Sequence, residues 1–160
     1  MVEMKFLTDR MLGKLTTWLR ISGYDTLCIA DVDVIGDEDD FMVENFRDRI
    51  LLTKDKRLYE KCVKNGRNAF LITSNDVLGQ MKEIKSLGVK FQLVMNRCSV
   101  CNSELRKPSV EEALEVIRTE NLSEDMLDFE LWYCGKCNKL YWMGGHWKNM
   151  SRFIRKVEED

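Results

Sequence analysis

No apolar run in this 160-residue chain approaches the ~18 residues that a membrane-spanning helix needs, so a membrane is not an expected partner. The opening residues, MVEMKFLTD, contain neither a basic stretch nor a long apolar one. No secretory leader is expected, and the expected location is cytoplasmic. Internal repeats and low-complexity segments are absent, and His146 is the single histidine. The six cysteines do not read as a disulfide framework. Four form two C-x-x-C pairs, while Cys28 and Cys62 stand alone in apolar stretches, where a free thiol behaves as a small buried hydrophobe. A reducing compartment suits that arrangement.

What is present is enough apolar side chain, 44%, to build a core. The length accommodates one ordinary domain, or a domain of about 95 residues plus a small module that needs outside help to fold. Net charge is only −2, which argues weakly against a nucleic-acid binder, but the charges are segregated. Between Glu111 and Glu130 stand eight acids and one base, Arg118. Between Leu131 and Val157 stand Lys136, Lys139, Lys148, Arg152, Arg155 and Lys156, without an acid. Such segregation can give a near-neutral protein a basic face, although a solvated surface helix reads the same way.

The first 95 residues alternate strand with helix. Lys5–Thr8, Thr26–Ala30, Ile50–Thr53 and Phe70–Thr73 read as short apolar strands. Helical spacing links Met11, Leu12, Leu15, Trp18 and Leu19; a weaker pattern runs over 38–48; Leu58, Tyr59, Cys62 and Val63 mark a third helix, and Val77, Met81 and Ile84 a fourth. Val89, Phe91, Leu93 and Met95 alternate with other residues and predict a half-exposed edge strand. Strands separated by helices imply right-handed crossovers and an α/β fold with an open, mostly parallel sheet flanked by helices. A boundary is expected near Asn96, giving domains 1–95 and 96–160. In the second, Pro108-Ser109 opens a helix with a capping box of Ser109 and Glu112.

Each of the four strands is followed within three residues by an aspartate: Asp9, Asp31, Asp55 and Asp76. In an open parallel sheet the strand C-termini share one edge, and ligands bind there. Helix capping competes as an explanation, because Asp9, Asp55 and Asp76 each precede a predicted helix. Two carboxylates about 5 Å apart repel by roughly 3 kcal/mol at an effective dielectric near 20, so a cluster persists most easily around a divalent cation. All-oxygen ligation selects Mg²⁺ or Mn²⁺ over zinc. Arg10, Lys14 and Arg20 on the first helix, and Lys54, Lys56 and Arg57 around Asp55, stand beside these acids in sequence. Acids for a metal and bases for phosphate suit phosphodiester hydrolysis by a metal-activated water.

The segments Phe6-Leu-Thr-Asp9-Arg-Met-Leu-Gly13-Lys-Leu-Thr-Thr-Trp-Leu-Arg20, Gly23-Tyr-Asp25 and Arg49-Ile-Leu-Leu-Thr-Lys-Asp55 resemble the Mut-seven C-terminal RNase domain family, PIN-like nucleases many of which end in a zinc ribbon. The resemblance continues through both C-x-x-C pairs to Tyr141-Trp-x-Gly-x-His146-Trp147. It implies a PIN-like, metal-dependent RNase with Asp9 and Asp55 as metal-binding acids and Asp31 as the acid after the second strand, and a Mg²⁺- or Mn²⁺-dependent endoribonuclease is the activity expected here. For the remaining acid Asp76 competes with Asp39, Asp40 and Glu44.

Cys98 with Cys101 and Cys134 with Cys137, 32 residues apart, read as a structural Zn²⁺ site in a zinc ribbon, the inserted helix accounting for the long gap; a redox pair is the alternative. Four thiolates leave no place for His146. Trp142, His146 and Trp147 could stack on bases while Lys148, Arg152 and Arg155 meet phosphates; equally, the aromatics could pack the ribbon against the main domain. RNA is therefore the expected partner, and a homodimer stays open. Two other functions fit less well: an RNA-binding adaptor without catalysis, and a receiver-like signalling domain. The latter wants an acidic pair after the first strand, where Arg10 follows Asp9, and a lysine after the fifth, where Asn96 stands.

Overall fold

The computed structural model describes residues 3–159. Its first part is a four-stranded sheet of β1 (Lys5–Thr8), β2 (Asp25–Cys28), β3 (Ile50–Thr53) and β4 (Ala69–Leu71), in the order β2-β1-β3-β4 and parallel throughout. The helices α1 (Gly13–Ile21), α2 (Glu38–Glu44), α3 (Lys56–Lys64) and α4 (Val77–Ile84) lie between and after the strands. Side chains alternate across a strand, and here both faces are apolar, as a covered parallel sheet requires. Phe6 and Leu52 join the layer of α1 and α4, with Leu15, Leu19, Met81 and Ile84; Leu7 and Leu51 join that of α2 and α3, with Met42, Val43, Leu58 and Cys62. Each such side chain contributes roughly 1.5–3 kcal/mol by leaving water.

The second part contains α5 (Val110–Thr119) and an antiparallel hairpin of β5 (Trp132–Cys134) and β6 (Lys139–Tyr141). The capping box of Ser109 and Glu112 opens α5, with both reciprocal bonds made. Ala113, Val116 and Ile117 of α5 pack on Leu131, Tyr133 and Leu140 to form a small core of its own. The last helix, α6 (Trp147–Glu158), returns to the sheet. Ile154 and Val157 enter the core that holds Phe6, and the Phe153 ring stacks on Trp18 at 4.9 Å.

One predicted element is absent. Val89–Met95 is not a strand. The alternation is real, since Val89 and Phe91 are buried and Lys90 and Gln92 exposed, but the backbone amides do not join the sheet. Lys90 donates to the Tyr24 hydroxyl (2.8 Å), Phe91 to Glu158 Oε1 (3.2 Å), Gln92 to Ser22 Oγ (3.2 Å) and Val94 to the Ile21 carbonyl (3.0 Å). Side chains and a helix end satisfy donors that a neighbouring strand would otherwise have to meet.

The free edge of β2 is covered by the first cysteine turn. Thr26 donates its amide to Asn102 Oδ1 (2.9 Å), and its carbonyl accepts from Arg20 Nε (2.9 Å). Asn102 Nδ2 also donates to Asp25 Oδ1 (2.7 Å), which accepts from Arg49 Nη1 (2.8 Å) as well. A sheet edge left bare is an aggregation hazard, and here the cysteine turn removes it.

Candidate active site and cysteine centre

β1 and β3 pair in register, from Phe6 opposite Ile50 to Thr8 opposite Leu52, so the aspartates that follow them emerge side by side. Thr53, with no exposed surface, ties the two ends together. Its hydroxyl donates to Asp9 Oδ2 (2.7 Å) and accepts from the Asp55 amide (2.9 Å). Sequence reasoning passed over Thr53; the available signal was a threonine closing each strand in Leu-Thr-Asp9 and Leu-Thr-Lys-Asp55.

The capping explanation divides the aspartates. Asp55 Oδ1 accepts from the amides of Arg57 (2.9 Å) and Leu58 (3.4 Å), and Asp76 Oδ1 from that of Gly79 (2.8 Å). The Asp9 side chain makes no bond to the helical turn Arg10–Leu12 that follows it, where only its main-chain carbonyl accepts, from the Leu12 amide (3.1 Å). Its half-buried carboxylate is held by Thr53 instead of serving the helix.

A further acid comes from the first turn of α2. Burial, and then the charges of Asp55, Asp37 and Asp9, raise the pKa of Asp39 above the usual carboxylate value. The negative field of the two strand-end aspartates thus reaches Asp39. Asp40 pairs with Lys61. Asp31 follows β2 at one outer strand of the sheet, 3.7 Å from Arg20 Nη2, and Asp76 follows β4 at the other. Among the described residues no three carboxylates converge within ligating distance; the one group that does is the four cysteines. The acids suit Mg²⁺ or Mn²⁺ nonetheless. Mg²⁺ is reluctantly dehydrated and is commonly held by one or two carboxylates with waters completing the shell. The hard oxygen donors and the field around Asp39 fit such an ion.

The sulfurs of Cys98, Cys101, Cys134 and Cys137 all lie within 4.8 Å of one another, and none is in a disulfide. Tetrahedral Zn–S bonds of about 2.3 Å put sulfurs about 3.8 Å apart. Cys98 and Cys137 stand at 3.9 Å, Cys101 and Cys134 at 3.5 Å, so the four can bind zinc. Burial pushes the Cys137 thiol up to about 12, with Cys101, Cys98 and Cys134 adding to the rise. Burial acts the same way on Cys101, but hydrogen bonds with Ser103, Cys137 and Cys134 together outweigh it and bring that thiol down to about 6. Asn102 and Asn138 take positive φ (72° and 54°) at these turns, a conformation that asparagine tolerates.

The profile described as Mut7-C RNAse domain matches residues 4–154. The chain belongs to the Mut7-C RNAse domain family. No significant match is found among curated proteins or among solved structures. An RNase domain takes RNA as its substrate, so this Mut7-C chain has a nuclease-related role. Among the described residues no helix is long and apolar enough to cross a membrane.

The bases of this Mut7-C chain divide by what they touch. Arg10 Nε reaches both oxygens of Glu38 (2.8 and 3.1 Å) and remains half exposed. Lys14 lies with Asn75 and Asp76 along an open cleft of about 580 Å³ at the strand-end edge, and Arg57 is exposed in the first turn of α3. Arg20, expected with Arg10 and Lys14 among the bases for phosphate, is turned away from solvent. It is 3% exposed, with Nε on Thr26 and Nη1 on the carbonyls of Ser99 (3.2 Å) and Val100 (2.9 Å). A buried guanidinium needs partners for its donors, and these carbonyls join the cysteine turn to the sheet. In the tail, Trp142 packs on the ribbon core, His146 is exposed, and Trp147 begins α6. Lys148, Arg152 and Arg155 are exposed on the side of α6 opposite Ile154 and Val157, and none forms an ion pair among the described residues.

Proposed function

We propose that the chain is an Mg²⁺- or Mn²⁺-dependent endoribonuclease of the reducing cytoplasm, with Asp9 and Asp55 as the principal metal-binding acids. Asp39 completes the group, while Asp31 and Asp76 flank it at the outer strands. The observation that carries this reading is the Thr53 bridge, which aims Asp9 at a field shared with Asp55 and Asp39 instead of at a helix end. A divalent ion held there supplies Lewis acidity and neutralises charge on the scissile phosphate. The protein's own share is orientation: Thr53 fixes the Asp9 carboxylate, the α3 amides fix that of Asp55, and Arg10, Lys14 and Arg57 attract the phosphate backbone.

Cys98, Cys101, Cys134 and Cys137 hold a structural Zn²⁺ in this reading, and the ribbon with α6 docks RNA through Lys148, Arg152 and Arg155. The test is cleavage of mixed RNA with Mn²⁺. Asp9→Asn and Asp55→Asn should each lower the rate on the order of 100-fold or more, the scale for losing one preorganised electrostatic group. Cleavage at full rate in both variants removes the assignment. Tight RNA binding with no cleavage under either metal favours the adaptor instead.

A further inference from the structure

A groove of about 290 Å³ opens at the seam between the ribbon and the segment that leaves the sheet core. Val94 and Met95 come from that segment, Tyr141 and Trp142 from β6 and the turn after it, and Met150 from α6. Besides the Tyr141 phenol, the charged or ionisable side chains lining it are Arg97, Lys139 and His146, with no carboxylate. Its polar character is thus dominated by hydrogen-bond donors set against aromatic and aliphatic surface. Arg97 Nε is buried and has no hydrogen-bond partner among the described residues, while Nη1 of the same guanidinium donates to the Asn102 carbonyl (3.0 Å) and Nη2 stands 3.9 Å from Asp25 Oδ2.

The aromatic side chains are held in place. The Tyr141 hydroxyl lies 3.0 Å from Cys98 Sγ and accepts from the Ser99 amide (3.2 Å), which fastens the ring to the first cysteine turn. Lys139 Nζ stands 5.1 Å from the centre of that ring. A side-chain carbon at Gly144 would come within 2.8 Å of Trp142 Nε1, so the absence of one lets the turn close against the indole.

We infer that this groove receives one unpaired nucleobase of an RNA strand, with an adjoining phosphate drawn to Lys139 and His146. The inference rests on the proposed ribonuclease reading and adds that the ribbon selects single-stranded RNA. A nucleobase is flat and apolar on its faces and rich in acceptors at its rim, which matches aromatic surface among donors. An aliphatic peptide side chain would offer no acceptor to Lys139, His146 or the unpartnered Arg97 Nε, and a duplex hides its base faces by stacking. The volume suits one base, not a row of them.

The experiment compares two labelled oligomers of equal phosphate number, a ribo-octamer and a fully abasic ribose-phosphate octamer, by anisotropy without added divalent metal in an Asp9→Asn background that slows cleavage. Base–aromatic stacking predicts about tenfold tighter binding of the base-bearing octamer (about 1.4 kcal/mol). Trp142→Ala should abolish that preference while leaving the abasic affinity and its salt dependence unchanged. Trp142→Phe should restore the preference. Should the alanine variant fail to hold zinc and fold, tryptophan emission of the unaltered groove decides: only the base-bearing octamer quenches it, and Trp142→Phe removes the quench. Equal affinity for both octamers, or a preference that survives Trp142→Ala in folded protein, overturns the groove assignment and leaves RNA docking intact. No binding of either octamer at low salt overturns both.

Discussion

Thr53→Val removes the hydroxyl that joins Asp9 to Asp55 while keeping nearly the same side-chain shape. Two bonds are lost: donation to Asp9 Oδ2 at 2.7 Å and acceptance from the Asp55 amide at 2.9 Å. A hydrogen bond to a charged group contributes about 1.5–3 kcal/mol, and a buried donor left unmet costs about 1–3. Asp9 and Asp55 are half-buried, so water replaces part of each loss and the lower ends apply. The expected destabilisation is then about 2–3 kcal/mol, which lowers Tm by roughly 4–12 °C for a chain of this size. Thr53→Ser keeps the hydroxyl and gives up one buried methyl group, at about 1 kcal/mol. Thermal unfolding of the three proteins should therefore rank them threonine, serine, valine. Mn²⁺-dependent cleavage should fall in the valine variant and need more Mn²⁺, with serine restoring most of the activity. A valine variant that unfolds and cleaves like the parent, or a serine variant as impaired as valine, refutes the bridging role.

Protein prepared without chelators should contain one Zn²⁺ per chain, and Cys134→Ser should lose it together with amide protection in the ribbon; metal analysis and hydrogen exchange read both, since a structural zinc supplies folding free energy. Replacing Lys148, Arg152 and Arg155 together by glutamine should flatten the slope of log RNA affinity against log salt by up to about 2 units, without abolishing cleavage of saturating substrate. An unchanged slope places the RNA path elsewhere. Glu112 titrates near 2 instead of its ordinary 4.5, first through the Arg106 guanidinium at 2.6 and 2.9 Å and then through the Ser109 amide. Its folded pKa is depressed, so its stabilisation is complete above about pH 4.5 and is lost as the pH falls toward 2. Glu112→Gln should remove that part of the acid dependence of α5 unfolding, followed by circular dichroism.

Much of this protein was legible in its sequence because the signals are local. The alternation of short strands with amphipathic helices needs only periodicity: two sheet strands have the expected bounds, and the other two overlap the expected segments but end two residues earlier, at Cys28 and Leu71. The Ser109–Glu112 box is a contact across three residues. Cysteines in C-x-x-C pairs announce their own chemistry, and the two pairs meet as expected. Other features turned on which distant group stood opposite. An arginine on the first helix reads as a surface base until Ser99, Val100 and Thr26 surround it with carbonyls, as happens to Arg20. Alternating residues read as a strand, but 89–95 met a tyrosine hydroxyl, a glutamate and a helix end where a strand would have been needed. Aspartates after strands look alike in one dimension. The order β2-β1-β3-β4 brings Asp9 and Asp55 together and sends Asp31 and Asp76 to opposite sides, while α2 carries Asp39 into the shared field. Sequence determines which residues can cap, ligate or pack, because those capacities belong to the side chain and its near neighbours. Tertiary structure decides which capacity is used, because the energy of a carboxylate or guanidinium depends on the charges and donors that folding places around it.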